Sequence, residues 1–563
     1  MNKKIVIYQV LPRLFGNKNT KLISNGSIKE NGCGKFDDFT DKALAEIKDL
    51  GATHIWYTGV IEHATQTDYT QEGIAKDHPF VVKGKAGSPY AIKDYYDVDP
   101  DLANNVKDRL NEYKALIQRS HKAGLKVIMD FVPNHVARQY KSDAKPKGVK
   151  DLGENDIQEV FFDRNNNFYY LPGQNFEPRI KAYEGEQPYV EFPAKATGND
   201  YFGNNPSTYD WYETVKLNYG VDYNNYQYKD FSTRPDTWTK MAEILSYWTS
   251  LGVDGFRCDM AEMVPSEFWA WVIPQIKEQN KDIIFIAETY DPNQYYRYIH
   301  EGNFDYLYDK VGLYDTLRAI VQGHGHPGSI TNCWQHLGDI KNNMLNFLEN
   351  HDEQRIASDF FAGNAKKALP AMIISATMSQ GPVMIYSGQE LGEKGMDEEG
   401  FSGRDGRTTI FDYWAVDTLQ KWNNNGKFDG GKLDKEQKEL RNFYKKLLNI
   451  CGSEKAISDG LFFDLMYVNY DNPNFNSARQ YAFMRKAGKE VLLIVANFEA
   501  NDAEIKVNIP QHAFEYFEMK AGKDQTFTEL LSGDKFKAAL SADAPLAISV
   551  KGESGVILKF KAE

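Results

Sequence analysis

The chain has 563 residues, too many for one ordinary hydrophobic core, and its size fits a barrel of roughly 250 residues joined to smaller domains. Its 66 basic and 79 acidic residues leave a formal charge of −13, which opposes an extended grip on a phosphate backbone and excludes nucleic acid as the expected partner. No run approaches the roughly 18 apolar residues of a membrane-spanning helix, and Cys33, Cys258, Cys333 and Cys451 lie far apart with no CxxC pair, so they read as reduced thiols.

The N-terminal MNKKIVIYQVLPRLF has a basic start, but Gln9 and Pro12 interrupt its apolar run and no small-residue cleavage site follows. It reads as a first strand, and the expected location is cytoplasmic. Seven further short apolar runs follow: THIWYTGV from Thr53, KVIMDFV from Lys126, VDGFRCD from Val253, DIIFIAE from Asp282, FDYLYD from Phe304, MLNFLENHD from Met344 and PVMIYSGQE from Pro382. Helical patterns separate them, among them DKALAEIKDL from Asp41, VKDRLNEYKALIQRSHKAG from Val106 and PDTWTKMAEILSYW from Pro235, the first two closed by Gly51 and Gly124. This alternation predicts a (β/α)₈ barrel with its site at the C-terminal ends of the strands. The competing doubly wound sheet lacks a GxGxxG turn after the first strand.

One connection is far too long for a loop. After FVPNH at Phe131 about a hundred residues rich in Asn, Gly, Tyr and Asp precede the helix near Pro235, and their position predicts a lid or substrate subdomain over the site. The helix KEQKELRNFYKKLLNI, ending near Ile450, closes the barrel, and the period-two alternation beyond it predicts a C-terminal antiparallel β-sandwich. The expected division is 1–135 with 236–452 for the barrel, 136–235 for the inserted domain, and 453–563 for the sandwich. Oligomeric state leaves no signal.

Acidic residues end several of these strands. Asp130 could be a helix cap or turn former, Glu288 in FIAETY could pair with a surface lysine, and Asp352 in ENHDEQR could cap a helix. Yet Asp259, Glu288 and Asp352 end the fourth, fifth and seventh strands, where a barrel converges its side chains. In GFRCDMAE, alternation puts Arg257 and Asp259 on one face, with Phe256 and Cys258 on the other. Carboxylates crowded together repel, so some hold protons while an arginine keeps a neighbour ionised. An ionised carboxylate opposite a protonated one is what glycoside hydrolysis uses, with no cofactor. Aromatics form 13% of the chain, and a minority of the 34 Tyr and 9 Trp could stack on sugar rings.

DFVPNH (Asp130 to His135), GFRCDMAE (Gly255 to Glu262), AETY (Ala287 to Tyr290) and ENHDE (Glu349 to Glu353) together resemble, in order, the four motifs of the α-amylase clan, glycoside hydrolase family 13. That resemblance implies a barrel with an inserted B domain and a C-terminal sandwich. It implies Asp259 as nucleophile, Glu288 as general acid and base, and Asp352 as stabiliser of the distorted sugar. It further implies that Arg257 orients Asp259, that His135 and His351 bind sugar hydroxyls, that Arg355 reaches a neighbouring subsite, and that Tyr90 is a stacking tyrosine.

The sequence departs from the family in two places. Amylases of the family often follow the nucleophile with a Lys-His pair, and here those positions are Glu262 and Met263. By the same resemblance Asn134 and the Met263 carbonyl could hold a structural calcium, although a turn-forming Asn is an equal reading, so the metal stays open. Pro89-Tyr90-Ala91 replaces the Gly-Tyr-Asp of exo-acting α-glucosidases, which favours binding within a chain. The expectation is a retaining hydrolase of α-1,4 bonds in starch-like glucans or maltooligosaccharides. A glucanotransferase or cyclomaltodextrinase is the first alternative, the latter disfavoured by a first strand that begins by Ile5, and an inactive glucan-binding module is the remote one.

Overall fold

The computed structural model describes residues 3–180 and 187–562. Eight parallel strands close into a barrel: β1 (Val6–Val10), β2 (His54–Tyr57), β3 (Lys126–Phe131), β4 (Gly255–Cys258), β5 (Ile284–Ala287), β6 (Tyr306–Tyr308), β7 (Met344–Phe347) and β8 (Val383–Tyr386). Each lies inside one of the eight apolar runs. Strands buried on both faces need continuous apolar runs, because a parallel barrel is filled inside and covered by helices outside. β8 pairs with β1 through Val6↔Val383, which closes the ring.

The first three helical patterns form α1 (Asp41–Asp49), α2 (Arg109–Lys122) and α3 (Asp236–Ser250). Gly51 and Gly124, just beyond the first two, take φ of +115° and +76°, the left-handed region that lets the chain reverse without a Cβ clash. Between β3 and α3 the chain makes its long excursion, built from short antiparallel ladders. His135–Ala137 pairs with Thr214–Lys216, and Tyr170–Leu171 pairs with Ala194–Lys195. So little regular structure explains why periodicity found nothing there.

Helix α4 (Leu369–Thr377) is buried along nearly its whole length, Pro370 to Thr377, and so is apolar all round. It is wedged between β7 and the C-terminal strands. Those follow α5 (Lys435–Ser453) as a six-stranded antiparallel sheet of β9 (Leu461–Asp464), β10 (Gln480–Ala487), β11 (Glu490–Asn497), β13 (Gly522–Glu529), β14 (Lys535–Leu540) and β16 (Ser554–Lys561). A two-stranded ribbon of β12 (Ala503–Val507) and β15 (Leu546–Val550) packs against it. Buried Arg485 ties this unit to the barrel, donating to the carbonyls of Met378, Ala456, Ile457 and Gly460. All four cysteines are free, and no helix among the described residues is long and apolar enough to cross a membrane.

Candidate active site

The strand register puts Arg257 of β4 beside Asp130 of β3, and both side chains lie at the barrel's C-terminal end. Asp259 follows β4 immediately, its N–H bonded to the Phe131 carbonyl at 2.9 Å, and Glu288 follows β5, its N–H bonded to the Cys258 carbonyl at 3.0 Å. Strand ends therefore aim these side chains, and barrel hydrogen bonds hold them. Beyond β7 the Asn350 side chain accepts from the N–H groups of Asp352 and Glu353, both at 2.9 Å, forming the turn that presents Asp352. Residues 353–358 are bends, turns and irregular chain, so Asp352 caps no helix.

One guanidinium organises the cluster. Arg257 is 1% exposed; it donates to Asp259 Oδ1 at 2.7 Å and Asp130 Oδ1 at 3.4 Å, and forms an ion pair with Glu288 Oε1 at 2.6 Å. Burial is the largest influence on Asp259, Glu288 and Asp352 and pushes each up from the ordinary carboxylate range, while Arg257 pulls each down. The Asp352 side chain is 32% exposed at the pocket, so solvent tempers its rise, to which the charges of Glu288 and Asp259 add. A single cation facing four carboxylates leaves protons in the cluster to higher pH, which is the environment a general acid needs. Arg257 thus does more than ionise Asp259: its charge is shared.

Glu288 is held from two sides, by the Met260 N–H at 2.8 Å and the Tyr290 hydroxyl at 2.8 Å. Glu262 is spent within the protein: its Oε2 accepts from the N–H groups of Tyr290 and Asp291, both at 3.0 Å, and so fixes the loop that carries Glu288. Asp130 is neither cap nor turn former. It is a buried hub that accepts from Trp56 Nε1, the Gly59 N–H, Tyr90 and Arg257.

Both histidines are kept neutral. Burial lowers His135 to about 3, and burial with Arg257 lowers His351 well below its ordinary value. Gln9 Nε2 donates to His351 Nδ1 at 2.8 Å, which leaves the proton on Nε2, 2.5 Å from the Tyr90 hydroxyl and 3.1 Å from Asp352 Oδ2.

A cavity of about 330 Å³ opens above these groups, at the small end of ligand pockets. Asp259, Glu288, Asp352, Tyr90 and His135 line it. Arg257 and His351 lie behind this layer, each 1% exposed, and act on the lining residues. Arg355 corrects the sequence expectation. It is 1% exposed and fully engaged inside the protein, bonding Glu349 Oε2 at 2.9 Å, the Ser387 carbonyl at 3.0 Å and Thr408 Oγ1 at 3.0 Å, with Tyr386 stacked 4.0 Å from its guanidinium. An arginine buried in an ion pair cannot reach a subsite; its partner Glu349 lies six residues back, across a reversal that no local pattern reveals.

The structure adds Lys83, Trp211, Glu213, Tyr290, Phe401 and Phe411 to the lining. Trp211 and Glu213 come from the long excursion, with the Trp211 ring 5.1 Å from that of His135 and Glu213 bonded to Lys83 at 3.0 Å. Phe401 and Phe411 come from the loop after β8. Their only sequence signal was the aromatic richness of these loops.

A family model for the alpha amylase catalytic domain matches residues 9–460. The chain belongs to the alpha-amylase family. It is 23% identical over 549 residues to the alpha-amylase MalA of Haloarcula japonica, covering 96% of this chain and 60% of that protein. It is 20% identical over 516 residues to a cyclomaltodextrinase of a Bacillus species, covering 88% of this chain and 73% of that one. The solved alpha-amylase of Geobacillus thermoleovorans, in complex with acarbose, superposes with a TM-score of 0.64 at 18% identity over 99% of this chain and 98% of that one. The chain spans about three fifths of the length of the Haloarcula relative. The family's barrel is the architecture observed here.

Proposed function

We propose that the protein is a retaining glycosidase that cleaves α-1,4-glucosidic bonds of starch-like glucans or maltooligosaccharides. The observation that carries this reading is the Arg257 guanidinium, which holds Asp259 and Glu288 at 2.7 and 2.6 Å beside one pocket whose lining includes Asp352. Close pairing of two carboxyls suits a covalent intermediate; inverting enzymes need wider separation to admit water. Asp259 attacks the anomeric carbon as Glu288 protonates the leaving oxygen, giving a β-glucosyl ester and a shortened chain. Glu288, now ionised, takes a proton from the incoming water, whose oxygen displaces Asp259 and restores the α configuration. Asp352 and neutral His135 hydrogen-bond the sugar as its ring flattens. The chemistry draws on no cofactor.

Residues 136–235 form the substrate-covering domain in this reading, since Trp211 and Glu213 reach the pocket from there. Residues 1–135 with 236–452 are the catalytic barrel, and 453–563 the sandwich. Four free thiols fit a cytoplasmic setting. The test is reducing-end release from soluble starch by the purified protein and by Asp259→Asn. Turnover by the unmutated protein with loss of at least about a thousandfold in the variant is expected for a missing nucleophile. No turnover of starch, glycogen or maltooligosaccharide would overturn the reading.

The aromatic rim favours transfer as a second reading, because Trp211, Phe401 and Phe411 offer faces on which an acceptor sugar could displace water. Products longer than the maltoheptaose supplied would decide for transfer.

A further inference from the structure

The two oxygens that family resemblance offers to a calcium ion already have a cation. Lys216 ends the short strand Thr214–Lys216, opposite His135 in register, and its side chain is 2% exposed. Its Nζ lies 2.5 Å from Asn134 Oδ1, 2.6 Å from Asp200 Oδ1 and 3.4 Å from the Met263 carbonyl. Asn134 is itself fully buried, with its Nδ2 committed to the Gly198 carbonyl at 2.8 Å. Calcium needs six to eight oxygens at about 2.3–2.6 Å, whereas three residues converge here around an ammonium that would repel a divalent ion from the same space. The residues present do not fit the metal.

The one other acidic cluster among the described residues that could hold a metal, Glu62 with Asp94 and Asp143, likewise has a protein cation beside it: Arg109 lies 3.9 Å from Glu62 and 3.5 Å from Asp143. We propose that Lys216 is the built-in cation of the Asn134 junction, so that the protein folds and works independently of calcium. The ammonium joins three segments: Asn134 just past β3, Asp200 in the excursion, and Met263 in the loop after β4. A metal would join the same segments by coordination; Lys216 does so covalently fixed to the chain, with nothing to dissociate. It is also a positioning residue. Its strand partner His135 lines the pocket, and Asn134 Nδ2 lies 3.2 Å from His135 Nδ1. Burying an ammonium is costly unless it is paired, and here a carboxylate and two neutral oxygens meet it. Thermal stability reads this role independently of the reaction proposed above.

The experiment compares the melting temperature of the full protein after exhaustive chelation with EGTA, after dialysis, and after addition of millimolar calcium. A resident ion held far above its dissociation constant would shift the midpoint by several degrees, and the expected shift is under about 1 °C. Lys216→Met should lower the midpoint by several degrees and raise KM through His135 more than it lowers kcat. Asp200→Asn, a milder change at a partly exposed partner, should lower it less. A wild-type midpoint that falls on chelation and returns with calcium overturns the proposal even if no variant folds. So does a Lys216→Met protein as stable as the parent.

Discussion

Replacing Arg355 by Met separates a structural arginine from a substrate-binding one. In the structure Arg355 and Glu349 are each 1% exposed and bonded at 2.9 Å, and Glu349 also accepts the Ile356 N–H at 2.7 Å. Burial pushes the Glu349 carboxyl from 4.5 up to about 7, even with Arg355 lowering it. Removing the cation leaves a buried carboxylate with no counter-charge, which costs about 3–5 kcal/mol. At about 2–4 °C per kcal/mol for a large domain, the melting temperature should fall by at least about 6 °C.

The loss has a defined pH dependence. A carboxyl whose folded pKa is raised contributes stability that is fully present below its unfolded value of 4.5 and is lost as pH rises through about 7. Below that window Glu349 is neutral and tolerates the missing arginine; above it the variant must bury a bare charge. The gap between parent and Arg355→Met should therefore widen from pH 5 to pH 8 in thermal melts, and adding Glu349→Gln should narrow it. The assay pairs those melts with KM and kcat on maltoheptaose. A variant as stable as the parent at both pH values, with a several-fold higher KM, would show that Arg355 reaches substrate and that the buried pair is unimportant.

Three further outcomes are expected. Tyr290→Phe removes a hydroxyl that favours ionised Glu288, so the acid should hold its proton longer and the basic limb of the kcat/KM pH profile should move up; a limb that stays or moves down contradicts this. Trp211→Ala removes a half-buried ring from the pocket wall, and KM on maltoheptaose should rise roughly 3–10-fold with melting unchanged. Glu262→Gln weakens two charge-assisted bonds to the loop of Glu288, so kcat should fall several-fold and the midpoint drop slightly; a higher KM at full stability would make Glu262 a sugar contact instead.

The barrel was legible because its physical causes are local. A strand buried on both faces must be apolar throughout, and eight such runs separated by amphipathic helices leave few ways to pack. Arg257 and Asp259 were readable as a pair because alternation along one strand puts residues two apart on the same face, and the structure has them bonded at 2.7 Å. Motif order likewise brought Glu288 and Asp352 to the same end of the barrel.

What the chain alone could not determine arises where partners are distant in sequence. Arg355 stood beside the ENHDE motif, yet its burial depends on Glu349, Thr408 and Ser387, brought together by loops from two strand ends. Trp211, Phe401 and Phe411 sit in segments without periodicity, so nothing local aims them at the pocket. Asn134 could have been a turn former or a metal ligand from its own neighbourhood, and only the arrival of Lys216, 82 residues later, decides which cation it meets. Strand periodicity encodes which face a side chain takes; charge pairing across loops is decided by tertiary structure, because the Coulomb energy depends on distances that the folded chain alone sets.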